Sequence, residues 1–201
     1  MNVAPHFSDC TTVADAIASL CRGLTEPVEP WRDCRDASPD EMPSACRDLL
    51  VHHDHMTTAL ERHHGQSVAL HVLRHRDESN AYRREILLTL GNTGRVVEYG
   101  VVRVNLDVVS PAVRQEIVER RAPLGDILMR HDVLRRVEPL WFVGFDGDSP
   151  VAAHFGGTGR GPVFGRVGMI HYDHQPAIEL LEVVAGEGGT PDGNTPAVVA
   201  D

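Results

Sequence analysis

The sequence lacks any apolar run approaching the roughly 20 residues that a membrane-spanning helix needs. It also lacks positive charge in excess. Against 19 basic residues stand 29 acidic ones, a formal net charge of -10. That balance argues against nucleic acid, whose phosphates need a basic footprint, and against an anionic membrane surface. Residues 1–9 show no basic segment leading into an apolar one, so secretion is not expected and a cytoplasmic location is. No C-x-x-C pair occurs among Cys10, Cys21, Cys34 and Cys46, and thiols are expected over disulfides. Also missing are a repeat of 20–50 residues, an H-E-x-x-H helix, the G-K-[ST] ending of a phosphate loop and a G-x-S-x-G elbow. These absences set aside solenoids, zinc-protease chemistry, P-loop chemistry and serine hydrolysis.

What is present fits one globular domain: 201 residues, 42% hydrophobic and 24% charged. The N-terminal part reads as helical and irregular. Val13, Ala16, Ile17, Leu20 and Cys21 recur at helical spacing, with Asp9 or Thr11 as a cap and Gly23 as a stop. Prolines 27, 30, 39 and 43 then break the chain, and further helical stretches cover 45–50 and 56–64, the last ending at Gly65. Alternation typical of strands follows over 67–75, 82–90 and 95–108, with a turn at 91–94. Ser110-Pro111 signals a helix start, another helix begins near Pro123, and strands return over 133–145, 164–171 and 176–184. Hairpin-linked strands with helices grouped between them predict a single antiparallel sheet of the α+β class, helices packed on one side. The expected organisation is an extension over 1–44, a domain over 45–185 and a disordered tail over 186–201.

Two charged residues stand out in the strands. Alternation places Arg84 on the face of Tyr82, Ile86 and Leu88, with Arg83 and Glu85 opposite. An inward arginine needs a partner, either an internal acid or a ligand carboxylate gripped by the guanidinium fork. Glu179 and Glu182, three apart, face opposite sides of one strand, so one can be solvated while the other points in. An ion pair and a ligand site both satisfy this pattern. The histidines at 52, 53, 55, 63, 64, 71, 75, 171 and 174 supply no recognisable third ligand spacing, so no metal is expected. The glycine-rich run 156–161 reads as a flexible lid or a simple loop.

Four segments, in order, resemble the chorismate pyruvate-lyase family. They are Leu49-Leu50-Val51-His52-His53-Asp54-His55-Met56-Thr57, then Tyr82-Arg83-Arg84-Glu85-Ile86-Leu87-Leu88, then Ala122-Pro123-Leu124-Gly125-Asp126-Ile127-Leu128, and Gln175-Pro176 with Glu182 beyond. The resemblance covers 45–185. It implies a lyase converting chorismate to 4-hydroxybenzoate and pyruvate without a cofactor, in a specialised or secondary pathway. It further implies that Arg84 binds the ring carboxylate, that backbone at Met56 and Leu124 touches the product, and that Glu182 is the acid–base group near the 4-hydroxyl. The partner would be a small carboxylate substrate, with no nucleic acid or membrane, in a monomer or homodimer.

Two alternatives remain beside it. One is a different elimination, isomerisation or cyclisation on the same scaffold. The other is a non-catalytic aromatic-acid-binding protein, since effector domains of GntR-type regulators share this fold and only bind small molecules. The presence of both Arg84 and Glu182, and a segment 1–45 too short and acidic for a winged helix, weigh towards the enzyme.

Overall fold

A computed structural model describes residues 6–24, 29–132, 135–156 and 161–186. Most of the expected tail and glycine-rich loop lies outside the described residues. Seven antiparallel strands form one sheet: β1 (Cys34–Asp36), β2 (Val68–Asp77), β3 (Ala81–Leu90), β4 (Val96–Asn105), β5 (Arg135–Phe145), β6 (Val163–Tyr172) and β7 (Gln175–Ala185). Their order is β1-β5-β6-β7-β4-β3-β2. Two meanders, β2-β3-β4 and β5-β6-β7, therefore meet where β4 pairs with β7. The expected single antiparallel sheet is what the chain forms.

Local signals explain the element ends. Helix α1 (Val13–Cys21) starts at Thr12, whose side chain accepts from the Asp15 amide; neither Asp9 nor Thr11 takes the cap. Helices α2 (Ser44–Leu50) and α3 (Met56–His64) follow, and Gly65, at φ 66°, ends α3 in the left-handed conformation. In α4 (Pro111–Glu119) Ser110 caps the Val113 amide and Pro111 fills the first turn. The last helices are α5 (Leu124–Arg130) and the single turn α6 (Pro150–Ala153). Pro139 within β5 sits at a register shift against β6, where a missing amide is tolerated.

Helices α2 to α5 pack on one side of the sheet. Cys46, Leu50 and Leu60 meet Ile86, Leu88 and Val184, while Ile117, Ile127 and Leu128 meet Val102, Ile178 and Leu180. The opposite face is covered by residues 6–24, with α1 laying Ile17 and Leu20 against Val101, Leu181 and Val183. Each such fully buried aliphatic side chain contributes about 1.5–3 kcal/mol.

This second cover corrects one expectation. Neither glutamate of the Glu179/Glu182 pair is fully exposed. Glu179, only 2% exposed, pairs with Arg103 at 2.7 Å and accepts the Phe7 amide at 2.9 Å. Arg83 and Glu85 are buried for the same reason.

Candidate functional site

The sheet face beneath α2 to α5 carries four charged side chains on four adjacent strands. Arg84 projects from β3, Glu98 from β4, Glu182 from β7 and Arg166 from β6. Register explains the grouping: Arg84 stands opposite Val102, Gly100 opposite Glu182, and Glu182 opposite Arg166. A cavity enclosing, with its mouth, about 470 Å³ opens above this row. Ile86, Leu88, Val102 and Leu180 line it from the sheet, and Met56, Thr57 and Leu124 from the helices. The structure thus brings Arg84, Met56, Leu124 and Glu182 to one apolar cavity, a form typical of small-molecule sites.

Arg84 is the anomaly of this cavity. It is 2% exposed, and its Nε and Nη1 groups find no hydrogen-bond partner among the described residues. Burial pulls its pKa below the usual arginine value, opposed by Tyr82 and the nearby Glu98 carboxyl. Buried donors are normally satisfied, so two on one guanidinium mark a place where something else belongs. No side chain caps the N-terminus of α3, whose first residues Met56 and Thr57 border the same cavity. Open amides at a helix start favour an anion.

Glu182 is joined to a second buried arginine. Its Oε2 accepts from Arg166 Nε at 2.6 Å. Arg166 is fully buried and spends its other donors on the turn between α2 and α3. Its Nη1 donates to the Leu50 and His52 carbonyls at 3.4 and 3.0 Å, and its Nη2 to the Asp54 carbonyl at 3.3 Å. The pair clamps the turn that leads into α3.

His52 belongs to this clamp. Its Nε2 donates to the Leu49 carbonyl at 2.6 Å and its Nδ1 accepts from the Asp54 amide at 3.1 Å, which assigns the neutral Nε2–H tautomer. Burial, and then Arg166, hold its pKa below the ordinary histidine value. The histidine-rich segment is in this part structural, and among the described residues no group of three or more His, Cys, Asp or Glu could hold a metal.

Glu98 and Arg166 were not singled out in the sequence. Both had a usable signal: a single charge at an alternating position, in Val96-Val97-Glu98-Tyr99-Gly100 and in Phe164-Gly165-Arg166-Val167-Gly168. Glu98 is 3% exposed and its Oε2 lacks a hydrogen-bond partner among the described residues. Burial first, then the Glu182 carboxylate, push its pKa well above the usual carboxylate range, against Arg166 and Arg84. Gly100 makes room for it, since a Cβ there would lie 3.2 Å from Glu98 Oε1 and 3.1 Å from Ile86.

No family model matches the chain, and no curated protein matches it in sequence. Solved structures match it in fold. PhnF from Mycobacterium smegmatis aligns at 16% identity and TM-score 0.50, over 66% of this chain and 64% of that one, so the match spans less than two thirds of PhnF. The effector domain of PhnF alone aligns at 15% identity and TM-score 0.47, over 67% and 90% of the two chains. A GntR-family transcriptional regulator from Bacillus cereus aligns at 11% identity and TM-score 0.40, over 64% and 98%.

The likeness establishes the fold, and it removes the ground for the lyase expectation. The neighbours named above are PhnF, its effector domain and a GntR-family transcriptional regulator, and none of them is named as a lyase. The assignment to chorismate pyruvate-lyase, and to an enzyme, is therefore corrected, along with the aromatic-acid biosynthesis that went with it. Among the described residues no helix is long and apolar enough to cross a membrane.

Proposed function

We propose that this chain is a non-catalytic binding domain for a small carboxylate-bearing aromatic acid, in a ligand-responsive role of the kind its fold neighbours' effector domains serve. The observation that carries the reading is Arg84: a buried guanidinium with two unused donors at an apolar cavity. A ligand carboxylate satisfies both donors in the fork geometry that arginine favours. The uncapped start of α3 adds to the field that draws an anion inward. The apolar lining of Ile86, Leu88, Val102 and Leu180 suits an aromatic ring. Met56 and Leu124 close over it, and Gly125 lets α5 come close to the His55–Thr57 turn, where a Cβ would lie 3.2 Å from Thr57 Oγ1.

Titration calorimetry with 4-hydroxybenzoate, and with its neutral amide as control, tests the reading. Binding of the acid and not of the amide, lost in Arg84→Met, is expected. Equal binding of acid and amide, or of both proteins, would refute it.

A further inference from the structure

Around Arg84 the charges do not cancel evenly. Arg166 and Glu182 form a closed pair, and His52 behind them is held neutral by its two hydrogen bonds. That leaves Arg84 on β3 and Glu98 on β4, both buried and both bordering the cavity, with His55 at its rim. Glu98 lies within electrostatic reach of Arg84, Glu182 and Arg166, which come from three different strands, and its Oε2 has no hydrogen-bond partner among the described residues. With Glu98 ionised, Arg84 is already neutralised, and an entering acid brings an unpaired charge into a buried space. With Glu98 protonated, Arg84 and one carboxylate balance, and the Glu98 hydroxyl has an acceptor. Buried charge is costly unless paired, so the second state is the one that admits a ligand.

We propose that Glu98 is the specificity-determining residue of this cavity: its carboxyl donates a hydrogen bond to the ligand carboxylate held by Arg84, so that a monoanionic acid enters together with one proton and a dianionic head group is rejected. The inference rests on the binding reading above. Burial and the Glu182 charge already bias Glu98 towards its protonated form. A hydrogen bond from a carboxyl to a carboxylate is of the short, charge-assisted kind. A phosphate monoester carries roughly -1.5 to -2 at neutral pH and leaves an excess charge that Arg84 alone cannot match.

The test is calorimetry of the wild-type chain with 4-hydroxybenzoate and with phenyl phosphate, from about pH 6 to 8, where the phenol stays protonated, in pairs of buffers with different ionisation enthalpies. The expected result is uptake of up to about one proton with 4-hydroxybenzoate, and an affinity that falls up to about tenfold per pH unit once free Glu98 ionises. Phenyl phosphate should bind at least about tenfold more weakly. Glu98→Gln, which imitates the protonated side chain, should bind with no proton uptake and no pH dependence. Buffer-independent heats across the range, a Gln variant weaker at every pH, or preference for phenyl phosphate would overturn the role of Glu98 and leave the binding reading standing. If the wild-type chain takes up neither compound, that reading falls and this one with it.

Discussion

Replacing Arg84 by methionine is expected to stabilise the ligand-free protein while abolishing binding. Methionine keeps an unbranched stem at the cavity that Ile86 also lines and removes the charged head. In the wild type that head leaves Nε and Nη1 buried without partners, and each unsatisfied donor costs about 1–3 kcal/mol. Loss of the attraction to Glu98 offsets part of the gain, but burial biases Glu98 to its neutral form. A net gain of about 1–3 kcal/mol remains, which for a chain of this length raises Tm by about 2–4 °C per kcal/mol. Ligand acts in the opposite direction on the comparison. At a hundred times Kd it stabilises the wild type by about 2.7 kcal/mol and should leave Arg84→Met unmoved. Calorimetric melting of both proteins, with and without 4-hydroxybenzoate, reads both effects. A variant that melts several degrees lower, still shifted by ligand, would mean that Arg84 is a structural ion-pair partner and that the reasoning fails.

Arg166→Met should do the reverse, because it strands Glu182 and the carbonyls of Leu50, His52 and Asp54; a loss of about 3–5 kcal/mol in urea unfolding is expected. Two buried arginines on one sheet face would then differ in sign. Glu98, with its folded-state pKa raised, contributes stability that is complete below the unfolded value of about 4.5 and is lost as pH rises through the folded one. Glu98→Gln should therefore match the wild type near pH 4.5 and exceed it increasingly towards about pH 8. The gap should widen by about 1.4 kcal/mol for each pH unit between the unfolded and folded pKa values, in urea titrations at both ends. Gly165→Ala places a Cβ 2.8 Å from the Glu182 carbonyl and 2.9 Å from Val183, with backbone on one side, and should lower stability by about 1–3 kcal/mol by denaturant unfolding.

The fold was legible because its signals are local. Turn residues at 91–94, the Ser110-Pro111 helix start and period-two alternation in β3 and β7 each act over a few residues. Alternation also placed Arg84 on the face of Tyr82, Ile86 and Leu88, and Glu179 and Glu182 on opposite faces of one strand. It did not reveal that Glu182 would find Arg166, because that meeting depends on which distant strands pair, β7 with β6 and with β4. Nor did it anticipate that residues 6–24 would bury the other face and with it Glu179. The four ordered segments read as a resemblance to the lyase family lie at a turn, a strand, a helix start and a hairpin. Those positions specify the scaffold, and a scaffold does not fix what it is used for.

The junction of β4 and β7 has a kinetic consequence. Each meander can form from near neighbours, but Gly100 must find Glu182 across the span that separates them in the chain. Loop-closure entropy makes such a pairing late and slow. The cavity straddles this seam, with Arg84 and Glu98 contributed by one meander and Glu182 by the other. A bound acid would therefore act as a staple between two independently plausible halves, slowing their separation more than it speeds their union. In hydrogen exchange its signature would concentrate on the amides of the seam, leaving the outer edges of the sheet to open as before.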